Sequence, residues 1–122
     1  MDDLSFSEML KMQYNLWEKN KDSWSPLEPK YARDSILWMM AEVGEVIDII
    51  KKCGEKAIVS DEEIKASLIE EMCDVLMYFN DTLLKYNISS KDIAAAYYKK
   101  HNKNMQRNFE NEGKRFAKNL KS

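Results

Sequence analysis

Glycine occurs 3 times and proline 2 times in 122 residues, too rarely for a chain built on many turns. With abundant Leu, Ile, Met, Lys and Glu, that scarcity points to a few long helices and excludes a hairpin-rich sheet. The 2 cysteines, Cys53 and Cys73, lack metal-ligand spacing, so both are expected to sit reduced in or near the core. Histidine is almost absent as well; His101 stands alone and reads as a surface or interface residue. No stretch approaches the roughly 18 uninterrupted apolar residues of a membrane span. The opening "MDDLSFSEML" has no basic-then-apolar pattern of a secretory signal. The expectation is a single all-α domain over residues 1–122, cytoplasmic and without a membrane partner, with 110–122 as a candidate flexible basic tail.

The formal net charge of −2 conceals an asymmetry. Residues 1–98 carry 11 basic and 19 acidic side chains, whereas residues 99–122 carry 8 basic and 2 acidic ones. A basic end on an acidic body suits either a nucleic-acid-binding tail or a helix end that closes over an anionic ligand.

The apolar spacing predicts four helices and no strands. The first covers about Ser5 to Asn20, with Phe6, Met9, Leu10, Gln13, Leu16 and Trp17 along one face. Pro26 and Pro29 forbid regular helix in the following loop, which carries Trp24. The second spans about Tyr31 to Lys52 and is apolar nearly all round, the mark of a central buried helix. Gly54 offers its stop. "SDEE" at Ser60–Glu63 opens the third as a capping box, and Asn87 ends it near Tyr86. Ser89 to Asp92 opens the fourth, which continues to about Glu110. Short connections make helices two, three and four antiparallel neighbours in a four-helix, bundle-like protomer.

Helices two and three each carry an acid pair at three-residue spacing: Glu42 and Glu45, then Glu71 and Asp74. Residues three apart share a helix face, so each pair presents its oxygens side by side. A single such pair is ordinarily a solvated surface feature. These four, however, have no Lys or Arg three or four positions away, and antiparallel packing brings the pairs to similar heights. Four converging carboxylates repel one another unless a cation offsets them. Hard oxygen ligands suit Mg²⁺, with Mn²⁺ as its usual substitute. An all-carboxylate site of this kind serves a phosphate ester or anhydride.

"EVGEVIDIIKK" and, 25 residues after Glu45, "EEMCDVLMYFND" resemble the ExxE…ExxD signature of the all-α nucleoside triphosphate pyrophosphohydrolases. These are the MazG-like enzymes, with dimeric dUTPases and dCTP pyrophosphatases as relatives. In "KKHNKNMQR", Lys100, Asn104 and Arg107 resemble the family's closing Lys-x-x-x-Asn-x-x-Arg element, so the likeness extends from about Ser35 to Arg107. Ala41 departs from MazG proper, which tends to have a further glutamate there. The resemblance implies Mg²⁺-dependent hydrolysis of a (deoxy)nucleoside triphosphate to the monophosphate and pyrophosphate. It makes Glu42, Glu45, Glu71 and Asp74 metal ligands, with Glu42 or Glu45 also activating the attacking water.

Lys100, Asn104 and Arg107 lie at i, i+4, i+7, one face of a helix, and with the resemblance become phosphate-binding candidates. Trp38, one turn before Glu42, and Trp24 are candidates to wall a nucleobase; Asn80, and Asp81 beside it, to hydrogen-bond a base or sugar. Trp17 reads as core. The apolar girth of helix two exceeds what one small bundle covers, so a homodimer or dimer of dimers is expected. The rival reading is a non-catalytic helical module that binds nucleotides or nucleic acid through the basic segment. Nucleic acid is the disfavoured partner, because that reading leaves the unpaired acids unexplained.

Overall fold

The computed structural model describes residues 1–121, and among them no strand occurs. The elements are α1 (Phe6–Asn20), a 3₁₀ turn (Pro29–Tyr31), α2 (Ala32–Cys53), α3 (Glu55–Ser60), α4 (Glu62–Lys85), α5 (Ser90–Gln106) and α6 (Phe109–Lys121). The all-α expectation therefore holds. They fall into two compact units, residues 1–90 and a second that begins at Lys91. No helix among the described residues is long and apolar enough to cross a membrane.

In the first unit, α1 starts on a capping box. The Ser5 hydroxyl accepts from the Glu8 N–H at 3.1 Å, and a Glu8 carboxylate oxygen accepts from the Ser5 N–H at 3.2 Å. The proline-bearing loop that follows is fastened back to α1, since the Trp17 indole donates to the Ser25 carbonyl at 2.9 Å. Pro29 occupies the first position of the 3₁₀ turn, where its missing N–H costs nothing.

The 22 residues of α2 end at Gly54, whose φ of +81° and ψ of 158° belong to a region essentially reserved for glycine. The short connection expected after Gly54 holds an extra helical turn and a half, α3, so the described residues form six α-helices where four were expected. The cap of α4 is Asp61, not Ser60: its carboxylate accepts from the N–H groups of Glu63 and Ile64. Asn87 closes α4 in the left-handed conformation (φ 57°). The Ile88 N–H reaches the Leu83 carbonyl at 2.9 Å and that of Asn87 reaches Leu84 at 3.1 Å, a Schellman arrangement.

Contacts between Ser35 and Asp81 and between Trp38 and Tyr78 set α2 and α4 antiparallel. Within the single chain α2 is not buried, and Cys53 and Cys73, expected in or near the core, are both exposed. Only Ala32 and Ser35 on α2 are buried, while Leu37 and Met40 remain 59% and 57% exposed. The reason is that α2 packs chiefly on α4 along one stripe, leaving its other apolar faces open. Apolar residues below one-tenth exposure number three in the described chain, Leu10, Ala32 and Leu83. The deepest large side chain is a lysine, Lys85.

The second unit contains α5 and α6. The helix expected to reach Glu110 stops at Gln106, and α6 begins at Phe109. Asn108 caps the new start through its side-chain oxygen, which accepts from the Asn111 N–H at 2.9 Å.

Candidate metal centre and pocket

Glu42 from α2 and Glu71 and Asp74 from α4 each bring a carboxylate oxygen into one cluster, all within 4.8 Å of one another. All three are half-buried rather than sealed in an apolar interior, and no basic side chain among the described residues forms an ion pair with them. Glu71 shares a hydrogen bond with Glu42. That bond, followed by burial and the charges of Glu42, Asp74 and Glu70, holds its carboxyl above the usual carboxylate range. Crowded acids of this kind bind either a proton or a cation, and the all-oxygen donor set fits a hard divalent ion.

Glu45 is not in the cluster and is exposed. The antiparallel register places it at the height of Glu71, whose carboxyl is turned to Glu42 instead. Three of the four expected ligands are therefore assembled and the fourth lies one turn away.

The cluster opens onto a pocket of about 640 Å³ bounded by α1, the loop after it, α2 and α4. Glu42 and Asp74 form part of its wall. Trp24 and Trp38, the expected base-stacking residues, both line it, as do Met77 and Tyr78. The Trp38 and Tyr78 rings meet at 5.9 Å between centroids, tilted by 54°. Burial, and after it the charges of Glu42, Asp74 and Asp81, pushes the Tyr78 phenol up. Trp17, expected in the core, is half-buried and also lines the pocket.

Asn80 does not line this pocket. It is buried at 3% exposure and its Oδ1 has no hydrogen-bond partner among the described residues. Its neighbour Asp81 faces the pocket instead, because one residue along a helix rotates the side chain by about 100°. Asp81 belongs to a buried triad. Its Oδ2 accepts from the Ser35 hydroxyl at 2.5 Å and lies 2.9 Å from the Lys85 ammonium, which also donates to the Ser35 oxygen at 2.6 Å. The ammonium stands 5.3 Å from the Trp38 ring centre. Lys85 escaped the sequence reading, although the Asp81/Lys85 spacing of four residues was a visible signal.

Lys100, Asn104 and Arg107 lie in the second unit. Arg107 is engaged there. Its guanidinium donates to both oxygens of Glu112, the shortest contact being 2.6 Å, and stacks 4.4 Å above the Phe109 ring centre. This pairing raises the Arg107 pKa and lowers that of Glu112. The Asn104 side-chain oxygen lies 3.4 Å from the same guanidinium, and Lys100 is exposed. Arg107 must exchange Glu112 for any phosphate it binds.

No protein-family model, curated protein or solved structure matches this chain.

Proposed function

We propose that this protein is a divalent-metal-dependent nucleoside triphosphate pyrophosphohydrolase. It would split a (deoxy)nucleoside triphosphate into monophosphate and pyrophosphate. The observation that carries this reading is the convergence of Glu42, Glu71 and Asp74, with no cationic partner among the described residues, beside a pocket that Glu42, Asp74 and three tryptophans line. The resemblance in "EVGEVIDIIKK", "EEMCDVLMYFND" and "KKHNKNMQR" supports it independently of the geometry.

Glu42, Glu71 and Asp74 would hold Mg²⁺ or Mn²⁺, with Glu45 available as a fourth ligand. Bound there, the ion would supply charge neutralisation for the triphosphate and polarise the anhydride. Either Glu42 or Glu45 takes the proton of the attacking water. Trp24 and Trp38 offer flat apolar surface to the base. The resemblance adds Lys100, Asn104 and Arg107, on the second unit, as phosphate-binding candidates. The open faces of α2 and α4 support assembly of the helical protomer into a homodimer or dimer of dimers, since Ile47, Ile69 and Met72 are each about half exposed in the single chain.

The test is incubation with a panel of dNTPs and NTPs plus Mg²⁺, with both products identified. Pyrophosphate and monophosphate are expected, with turnover sharply reduced in Glu45→Gln and Asp74→Asn at unchanged helicity. Orthophosphate with diphosphate, or full activity in both variants, would refute the assignment.

A further inference from the structure

Two largely buried side chains, Gln13 and Asp81, line the same pocket with polar atoms that no described residue satisfies. Gln13, on α1, is 9% exposed and lines the pocket, and among the described residues its amide has no hydrogen-bond partner. Asp81 is 7% exposed. Its Oδ2 is saturated by Ser35 and Lys85, but its Oδ1 has no partner among the described residues. Folded chains leave few such groups, and those they keep usually face water or a ligand. Both face the pocket that Trp24 and Trp38 wall with flat apolar surface.

The charges decide what kind of ligand edge fits. The Lys85 ammonium is already neutralised at 2.9 Å by Asp81, so among the described residues the pocket lining offers no free cation for a phosphate. A carboxylate oxygen accepts only, and an amide offers one donor and one acceptor group. A neutral heteroaromatic ring with an N–H beside a lone pair matches both, and its faces match the indoles. We propose that Gln13 and Asp81 read the hydrogen-bonding edge of the nucleobase, with Asp81 Oδ1 accepting a base N–H. Lys85 and Ser35 are positioning residues that hold Oδ2 and so fix the direction of the carboxylate. The inference rests on the nucleotide reading for the identity of the ligand, and it adds which residues discriminate among bases.

The experiment avoids catalysis altogether. Tryptophan fluorescence is followed while the intact protein, in EDTA, is titrated with deoxycytidine, deoxyadenosine, deoxyguanosine, thymidine and, as baseline, deoxyribose. At least one nucleoside is expected to bind about tenfold or more tightly than deoxyribose. N-methylation that removes the donor hydrogen of that base should weaken it about tenfold, the usual cost of leaving a buried acceptor unpaired. Gln13→Leu, which leaves the ion pair untouched, should lose a similar factor. In the doubly neutral Asp81→Leu/Lys85→Met variant the penalty for methylation should shrink to within about twofold. Equal binding of methylated and unmethylated bases, unchanged affinity in Gln13→Leu, or nucleosides binding no better than deoxyribose would each overturn the assignment. Because no bond is cut, an inactive protein that still shows this pattern would refute the hydrolase and leave the base-reading site standing.

Discussion

Replacing Lys85 with methionine removes a charge from the deepest point of the first unit while nearly preserving its volume. Lys85 is 2% exposed, and its ammonium holds both Asp81 at 2.9 Å and the Ser35 hydroxyl at 2.6 Å. In Lys85→Met the Asp81 carboxylate stays buried with only the Ser35 hydroxyl as partner. Stranding one member of a buried pair costs about 3–5 kcal/mol, because the remaining charge has lost both water and its counter-ion. Against a total stability of about 5–15 kcal/mol for a domain, that is a large fraction. Urea unfolding followed by far-UV circular dichroism should show the loss directly as a lower midpoint. Removing both charges in Asp81→Leu/Lys85→Met should recover at least half of it, because an apolar pair of similar volume bears no desolvation penalty. A single variant destabilised by less than about 1 kcal/mol, or a double variant no better than the single, would refute the view that this pair is a coupled buried unit.

Mg²⁺ and Mn²⁺ should raise the thermal midpoint of the wild type, since an ion that binds only the folded state stabilises it; Asp74→Asn should abolish the shift, as differential scanning fluorimetry would show. Gly54→Ala should cost about 1–3 kcal/mol in urea unfolding, because φ +81° with ψ 158° is strained for any residue with a Cβ. Ser5→Ala should cost about 1 kcal/mol by removing the cap of α1. Hydrogen bonds to the Ser5 side chain and backbone hold Glu8 below its ordinary pKa. The Glu8 contribution is therefore present above the unfolded carboxylate pKa and lost as pH falls through the lowered folded value. In Glu8→Gln that part of the acid dependence of unfolding should disappear. Multi-angle light scattering at micromolar concentration should give at least twice 14.4 kDa, and a monomer alone would remove the oligomer proposal.

The all-helical class and three of the four acid positions were legible because helical periodicity is a local property. Residues three apart share a face whatever surrounds them, so Glu71 and Asp74 could be paired on paper, and Glu42 placed opposite them from helix order. Asn87 and Gly54 were equally legible, each marking a helix end through its tolerance of positive φ. The missed elements failed for local reasons too. The Glu55–Ser60 turns are too short to show a period, and the helix break after Gln106 contains neither glycine nor proline.

Composition and spacing by themselves determined that this chain would be helical and would carry two acid pairs, each on one face of its helix, since both follow from backbone geometry and residue type. Tertiary structure alone decided which side chains meet across α2 and α4. It turned Glu71 to Glu42 and left Glu45 aside, buried Lys85 against Asp81 and Ser35, and aimed Asp81 rather than Asn80 at the pocket. Those choices depend on how each helix is turned about its axis against its neighbour and on how close that neighbour lies, and neither can be read from one helix considered alone.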